Sequence, residues 1–163
     1  MGAGKRMQFS TRFLDPADRG ELSRLFVEMQ EYYAVFCPPE EVILEDLDNL
    51  PVGVEFLVAD ADRLAGFAAF STIYPGPGLA SGLFLKELFV SESFRGAGIG
   101  RILMRRLANI AIERGHRRID WTADVENSRL LQFYDALGGA RKQEKLFYRL
   151  DGDALKGLGN TQE

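Results

Sequence analysis

Residues 83–101, LFLKELFVSESFRGAGIGR, decide how this chain is read. The first half is an apolar strand, expected over Leu83 to Val90 and interrupted only by Lys86 and Glu87. The second half is a glycine-rich turn, Arg95 to Gly100, which opens a helix. In that helix Ile99, Leu103, Leu107, Ile110 and Ala111 share one face, and Gly115 is the expected stop. A strand that runs through such a turn into a helix presents free backbone N–H groups and the positive end of the helix dipole, which together hold a phosphate. Two well-known phosphate motifs do not fit. A P-loop ends in Gly-Lys-Ser/Thr, and the dinucleotide fingerprint needs Gly or Ala where Arg101 stands.

Working outward, the pattern alternates strands and helices. Gln8 to Leu14 reads as a strand, and Asp15 as an N-cap with Pro16 in the first turn of a helix to about Tyr33. A second, acidic helix is expected over Glu40 to Leu50, with Val42, Ile43, Leu47 and Leu50 inward. Glu55 to Ala59 and Leu64 to Ile73 form an antiparallel hairpin. Downstream of Gly115 the expectation is a strand from Arg118 to Ala123, a helix from Asn127 to Leu137 and a last strand from Lys145 to Leu150. Residues 151–163 read as a short helix or frayed tail. The expected fold is α/β, a single domain over residues 1–163 with its core at about 8–150. It has a mixed, mostly antiparallel central sheet of six to seven strands flanked by helices.

The chain has 163 residues, 46% of them hydrophobic and 27% charged, which suits one globular domain with a real core. No apolar run approaches the roughly 18 residues of a membrane span, and no apolar segment follows Lys5 and Arg6, so the chain is expected to be cytoplasmic, with no membrane partner. The single Cys37 and single His116 leave no set of soft ligands for a metal, and none is expected. A nucleophilic triad would have to pass through His116, which lies in the basic run ERGHRR and reads as a surface histidine.

The net charge of −4 argues against nucleic acid as a partner. Its distribution says more. Residues 25–62 contain ten carboxylates and no Lys or Arg, whereas residues 95–118 carry seven Arg against the one carboxylate of Glu113. Either stretch could be no more than a solvated face. Together they suit a cationic ligand and an anionic ligand handled side by side.

ELFVSESFRGAGIG resembles the acetyl-CoA signature of the Gcn5-related N-acetyltransferase superfamily, Arg/Gln-x-x-Gly-x-Gly/Ala, through Arg95, Gly98 and Gly100. Asn127-x-x-Leu-x-x-Phe133-Tyr134-x-x-x-Gly138 resembles the later motif of the same superfamily, in the right order and at about the right distance. The likeness covers roughly Phe9 to Leu150, and within the superfamily the chain looks most similar to the diamine and polyamine branch. Two departures, Leu130 where Ala is common and Gly139 where an aromatic is usual, concern packing.

The resemblance implies acetyl-CoA as cosubstrate and a sheet that splays around Trp121. The pantetheine arm would bond backbone groups of Leu88, Phe89 and Val90. The turn formed by Arg95, Gly96, Ala97, Gly98, Ile99 and Gly100 would hold the pyrophosphate, with Arg95 and Arg101 adding charge-assisted bonds. Arg101, Arg105 and Arg106 could equally be solvated. Tyr134 would protonate the departing thiolate, and Asn127 would bond pantetheine or fix the helix carrying Tyr134. For these two the competing readings are an N-cap and a core tyrosine.

Acetyl transfer needs a neutral amine, and an alkylammonium of pKa ~10.4 is neutral in only about one molecule in ~2,500 at pH 7. Glu87 is the first candidate for the base, or for the anchor of a water relay, with Glu28 and Glu31 behind it. Its competing reading is a structural carboxylate paired with Lys86 or Arg149. Glu28, Glu31 and Tyr32 in the acidic stretch are expected to line the pocket of a small cationic amine: a diamine, polyamine or basic amino acid. Transfer to a protein lysine or N-terminus, and a non-catalytic module that binds coenzyme A, are the alternatives. The superfamily commonly dimerises, so a homodimer is possible.

Overall fold

A computed structural model describes residues 8–160. They fall into two compact units, one ending at Thr122 and the other beginning at Ala123. The first contains a five-stranded sheet in the order β1 (Ser10–Phe13), β2 (Val54–Asp60), β3 (Leu64–Ile73), β4 (Gly82–Val90), β5 (Ile119–Asp120). Neighbours are antiparallel except for the parallel pair β4 and β5.

Three helices belong to this unit: α1 (Arg19–Tyr33), α2 (Glu40–Asp48) and α3 (Ile99–Glu113). Asp15 caps as the sequence signals, but what it caps is a 3₁₀ turn, Pro16–Asp18, and α1 starts only at Arg19. The Asp15 carboxylate accepts the Ala17 amide at 2.9 Å, and the Asp18 carboxylate accepts the Asp15 amide at 2.8 Å, a reciprocal cap. Arg12 on β1 ties this cap to β2, bonding Asp18 at 2.9 Å and Asp60 at 2.7 Å. At the far end Ala34 adopts a left-handed conformation, with φ of 53°.

Strand alternation divides the apolar residues between the two sheet faces. Phe56, Val58, Phe67, Ala69 and Phe89 form one cluster with Leu22 and Leu25 of α1 and Ile43 and Leu47 of α2. Their neighbours in sequence, among them Leu57, Ala68 and Phe70, are also buried. The helix α3 touches β2, β3 and β4, and its face of Ile99, Leu103, Leu107, Ile110 and Ala111 is buried as the periodicity requires.

The second unit contains α4 (Ser128–Ala136) and α5 (Gly152–Gly159). Here the sequence expectations need correction. The sheet has five strands among the described residues, not six or seven. Residues 145–150 join no ladder, and Leu146, Phe147 and Tyr148 are exposed. An alternating pattern provides a face to bury but not a partner edge, and a strand exists only as a pair. The strand expected over Arg118 to Ala123 shrinks to two paired residues. Val42 is exposed because α2 buries only the narrow stripe of Ile43 and Leu47, one turn apart. His116 is half-buried, its Nδ1 2.8 Å from Ser81 Oγ.

Candidate functional site

The site is built around β4. Its ladder with β3 pairs Phe84 with Ser71 and Leu85 with Phe70, then skips to Glu87 opposite Ala69, so Lys86 is an extra residue. This one-residue bulge changes the parity of the strand. Phe84 and Glu87 would lie on opposite faces in a regular strand. With Lys86 inserted they lie on the same face, that of Ala69, Ser71 and α1.

That face borders a cavity of about 320 Å³. Phe26 and Met29 of α1 form one wall, and Phe56, Ser71 and Phe84 lie along the sheet side. Glu87 and Lys86 supply its charged groups. Lys86 Nζ lies 3.2 Å from Glu87 Oε1, with the lysine 66% exposed and the glutamate 28%. Burial, followed by the nearby charge of Glu87 and then by Tyr32, pushes the Tyr33 phenol above its ordinary value.

On its other side β4 pairs with β5 only at Leu83–Ile119 and Phe84–Asp120. Beyond Phe84, including Leu88, Phe89 and Val90, that edge has no strand partner among the described residues. The ladder stops one residue before Trp121.

After Val90 the chain is pinned and then released. The Ser91 amide donates to the Ala65 carbonyl at 2.9 Å, and Phe94 is buried edge-on to Phe9 with its ring under the Arg63 guanidinium. Gly96 and Gly98 then adopt φ of 83° and 80°, the left-handed region where glycine is unstrained. A Cβ at either position would meet nothing within 4 Å, so backbone conformation and not crowding calls for glycine there. The turn delivers the chain into α3, whose first-turn amides at Ile99, Gly100 and Arg101 have no intrahelical acceptor. Ala97 and Arg101 are exposed beside them. Open amides, left-handed glycines and exposed arginine suit a diphosphate, so the residues present fit the phosphate end of coenzyme A.

Glu28 and Tyr32 of α1 contact the segment between β4 and α3. Glu28 Oε1 accepts the Glu92 amide at 2.7 Å, and its other oxygen lies 3.6 Å from Arg24. The Arg95 guanidinium stacks 4.8 Å from the centre of the Tyr32 ring and 5.8 Å from that of Phe89, while its Nε donates to the Val90 carbonyl at 3.2 Å. Glu31 is exposed, and neither it, Glu28 nor Tyr32 lines the cavity. Sequence reasoning missed Met29, Ser71 and Phe84 as lining residues. The bulge that aligns Phe84 with Glu87 shows only in the pairing register with β3.

In the second unit Asn127 caps α4, its Oδ1 accepting the Leu130 amide at 3.1 Å. Tyr134 is buried, with its ring 5.2 Å from that of Phe133. Gly138 ends the helix at φ of 89°, and the Gly139 amide returns to the Tyr134 carbonyl at 3.2 Å. Asp135 makes a two-pronged bond to Arg141, which holds its carboxyl below the usual value.

Residues 21–138 match the model of the Acetyltransferase (GNAT) family. The chain is 30% identical over 95 residues to L-ornithine N5-acetyltransferase NATA1 of Arabidopsis thaliana, covering 58% of this chain and 42% of that protein. It is 27% identical over 118 residues to thialysine N-epsilon-acetyltransferase of Caenorhabditis elegans, 71% of this chain and 72% of the relative. The solved integron cassette protein VCH_CASS6, from the mobile metagenome of V. cholerae, superposes with a TM-score of 0.88 at 33% identity, over 95% of this chain and 99% of that one. The match thus spans less than half the length of the ornithine enzyme.

Proposed function

This chain belongs to the Acetyltransferase (GNAT) family, whose cosubstrate is acetyl-CoA, and from that premise we propose that it acetylates a small primary amine that is cationic at neutral pH. The observation that carries the reading is the combination on β4. One edge has no strand partner beyond Phe84 among the described residues, the Arg95–Gly100 turn follows, and the bulge turns Glu87 to the face that borders a largely apolar cavity. Relatives named for ornithine and thialysine, both amine acceptors, support it. The carboxylate-rich stretch over residues 25–62 would attract such cations from solution, an effect that weakens with salt.

Acetyl-CoA supplies the acetyl group as an activated thioester. The chain's own residues do the rest. Backbone groups of Leu88, Phe89 and Val90 receive the pantetheine arm. The turn amides, with Arg95 and Arg101, neutralise the diphosphate. Tyr32 stacks on Arg95 and holds it near the turn, and Glu28 fixes the turn's entry through the Glu92 amide. Glu87 takes the proton that the ammonium must lose, directly or through water, so that the nitrogen can form the amide bond as the carbon–sulfur bond breaks. On the family motif, Tyr134 returns a proton to the sulfur, with Asn127 holding the start of its helix. Lys86, 3.2 Å from Glu87, keeps that carboxylate company until an ammonium replaces it.

The test is acetyl transfer from acetyl-CoA to a panel of amines, peptide N-termini and lysine peptides at several salt concentrations. Small amines should be preferred, with kcat/KM falling as salt rises. A preference for peptides with no salt dependence would favour a protein acceptor. Binding of coenzyme A with no turnover on any amine would favour the non-catalytic module.

A further inference from the structure

The cavity beside Glu87 has an unusual lining for an enzyme of polycations. It lies on the face where Phe26, Phe56 and Phe67 already pack ring against ring, with centroids 5.2 to 6.0 Å apart. Met29, Val54 and Phe84 extend the same surface. Among the described lining residues Glu87 is the single carboxylate, and Lys86 offsets it, so the cavity offers one site for one ammonium; Asp46 of α2 lines a separate, smaller pocket that shares Phe26 and Met29. Glu28, the carboxylate that a second charge would have been expected to find, is engaged by the Glu92 amide and Arg24. At about 320 Å³ the space lies at the small end of the range for ligand pockets.

We propose that the preferred acceptor carries a single positive charge on an apolar, arylalkyl body, with its ring against Phe26, Phe56 and Phe84 and its ammonium at Glu87. This rests on the acetyltransferase reading and narrows it. Desolvating a second ammonium against aromatic walls with no counter-charge is costly, whereas an aromatic ring gains from edge-to-face contact with the rings already there. Diamines, polyamines and basic amino acids are then the poorer acceptors, and the long acidic stretch acts outside the cavity, as an attractive field and not as a set of ligands.

The test compares pentylamine, 1,5-diaminopentane and 2-phenylethylamine as acceptors for acetyl-CoA with the full-length protein. The first two differ only by the second ammonium. We expect kcat/KM for 2-phenylethylamine and for pentylamine to exceed that for 1,5-diaminopentane at least tenfold. Ser71→Asp, which places a carboxylate on the cavity wall, should move the diamine-to-monoamine ratio at least tenfold toward the diamine. Met29→Glu, from the α1 wall, should do the same, and urea unfolding checks that each variant folds. A wild-type preference for 1,5-diaminopentane, or a ratio unmoved in both folded variants, overturns the narrower proposal and leaves amine acetylation standing. Absence of turnover on every amine tested removes both readings.

Discussion

Replacing Glu87 with Gln keeps the size and polarity of the side chain and removes only its charge and its capacity to accept a proton. An alkylamine acceptor is almost wholly protonated at pH 7, a handicap of about 4.6 kcal/mol. A positioned base recovers typically ~10²- to 10⁴-fold of rate. Glu87 is 28% exposed and lies 3.2 Å from Lys86, so it shares its charge with a competitor and with water. The lower end of that range is expected, a loss of about 10²-fold in kcat/KM at pH 7, or about 2.7 kcal/mol. The assay is steady-state acetyl transfer to 2-phenylethylamine between pH 6 and 10, followed by release of free thiol. In Glu87→Gln the reaction depends on amine already neutral in solution, so log kcat/KM should rise by one for each pH unit. Its deficit against the parent should narrow toward the amine pKa. Coenzyme A affinity, read by calorimetry, should not change. A variant within threefold of the parent at pH 7, with a parallel pH profile, would refute the assignment of Glu87 as base and leave it a structural partner of Lys86.

Three further outcomes follow from other parts of the molecule. Gly98→Ala adds a methyl that meets no atom within 4 Å but must hold φ near 80°. Stability should fall by about 1 kcal/mol through backbone strain, and coenzyme A should bind at least tenfold more weakly by calorimetry. Leu107→Ala truncates a fully buried side chain on α3 and should cost about 2–5 kcal/mol in urea unfolding, with an unchanged denaturant slope. The Arg12 bonds hold the Asp18 carboxyl below its ordinary value, and the Arg114 bonds do the same for Glu55. Carboxylates depressed in the folded state stabilise it above their unfolded pKa, about 4, and that contribution is lost as pH falls through their folded values. The urea midpoint should therefore drop below pH 4, and less steeply in Arg12→Met, which should already be weaker by about 1 kcal/mol at pH 7 because Arg12 is partly screened by solvent.

Where local chemistry decides structure, the sequence was legible. Asp15 caps the 3₁₀ turn that leads into α1 because its carboxylate reaches the Ala17 amide, and Gly115 ends α3 at φ of 75° because nothing but glycine is unstrained there. The stripe from Ile99 to Ala111 is buried in full. Errors arose where long-range pairing decides. Residues 145–150 alternate like a strand yet join no ladder, since a pattern names a face and not a neighbour. In sequence Lys86 and Glu87 only interrupt the apolar run of β4. Only the register against Ala69 and Phe70 reveals that Lys86 is the inserted residue and that Glu87 faces the cavity. For Glu28 and Tyr32 the sequence shows charge and aromaticity but not their neighbours. Their engagement by the Glu92 amide and by Arg95 depends on a turn some 60 residues away.

The half-finished ladder of β4 also bears on how the protein must be handled. Hydrogen-bonding groups in a row from Leu85 to Val90, lacking a strand on one flank, are a template for any extended peptide that comes near, including the same segment of another molecule. A catalyst that leaves a seam open for its cosubstrate is exposed to unwanted stitching whenever that cosubstrate is absent. Purification with coenzyme A present throughout is the natural safeguard, and turbidity on its removal would be the visible sign of that open seam.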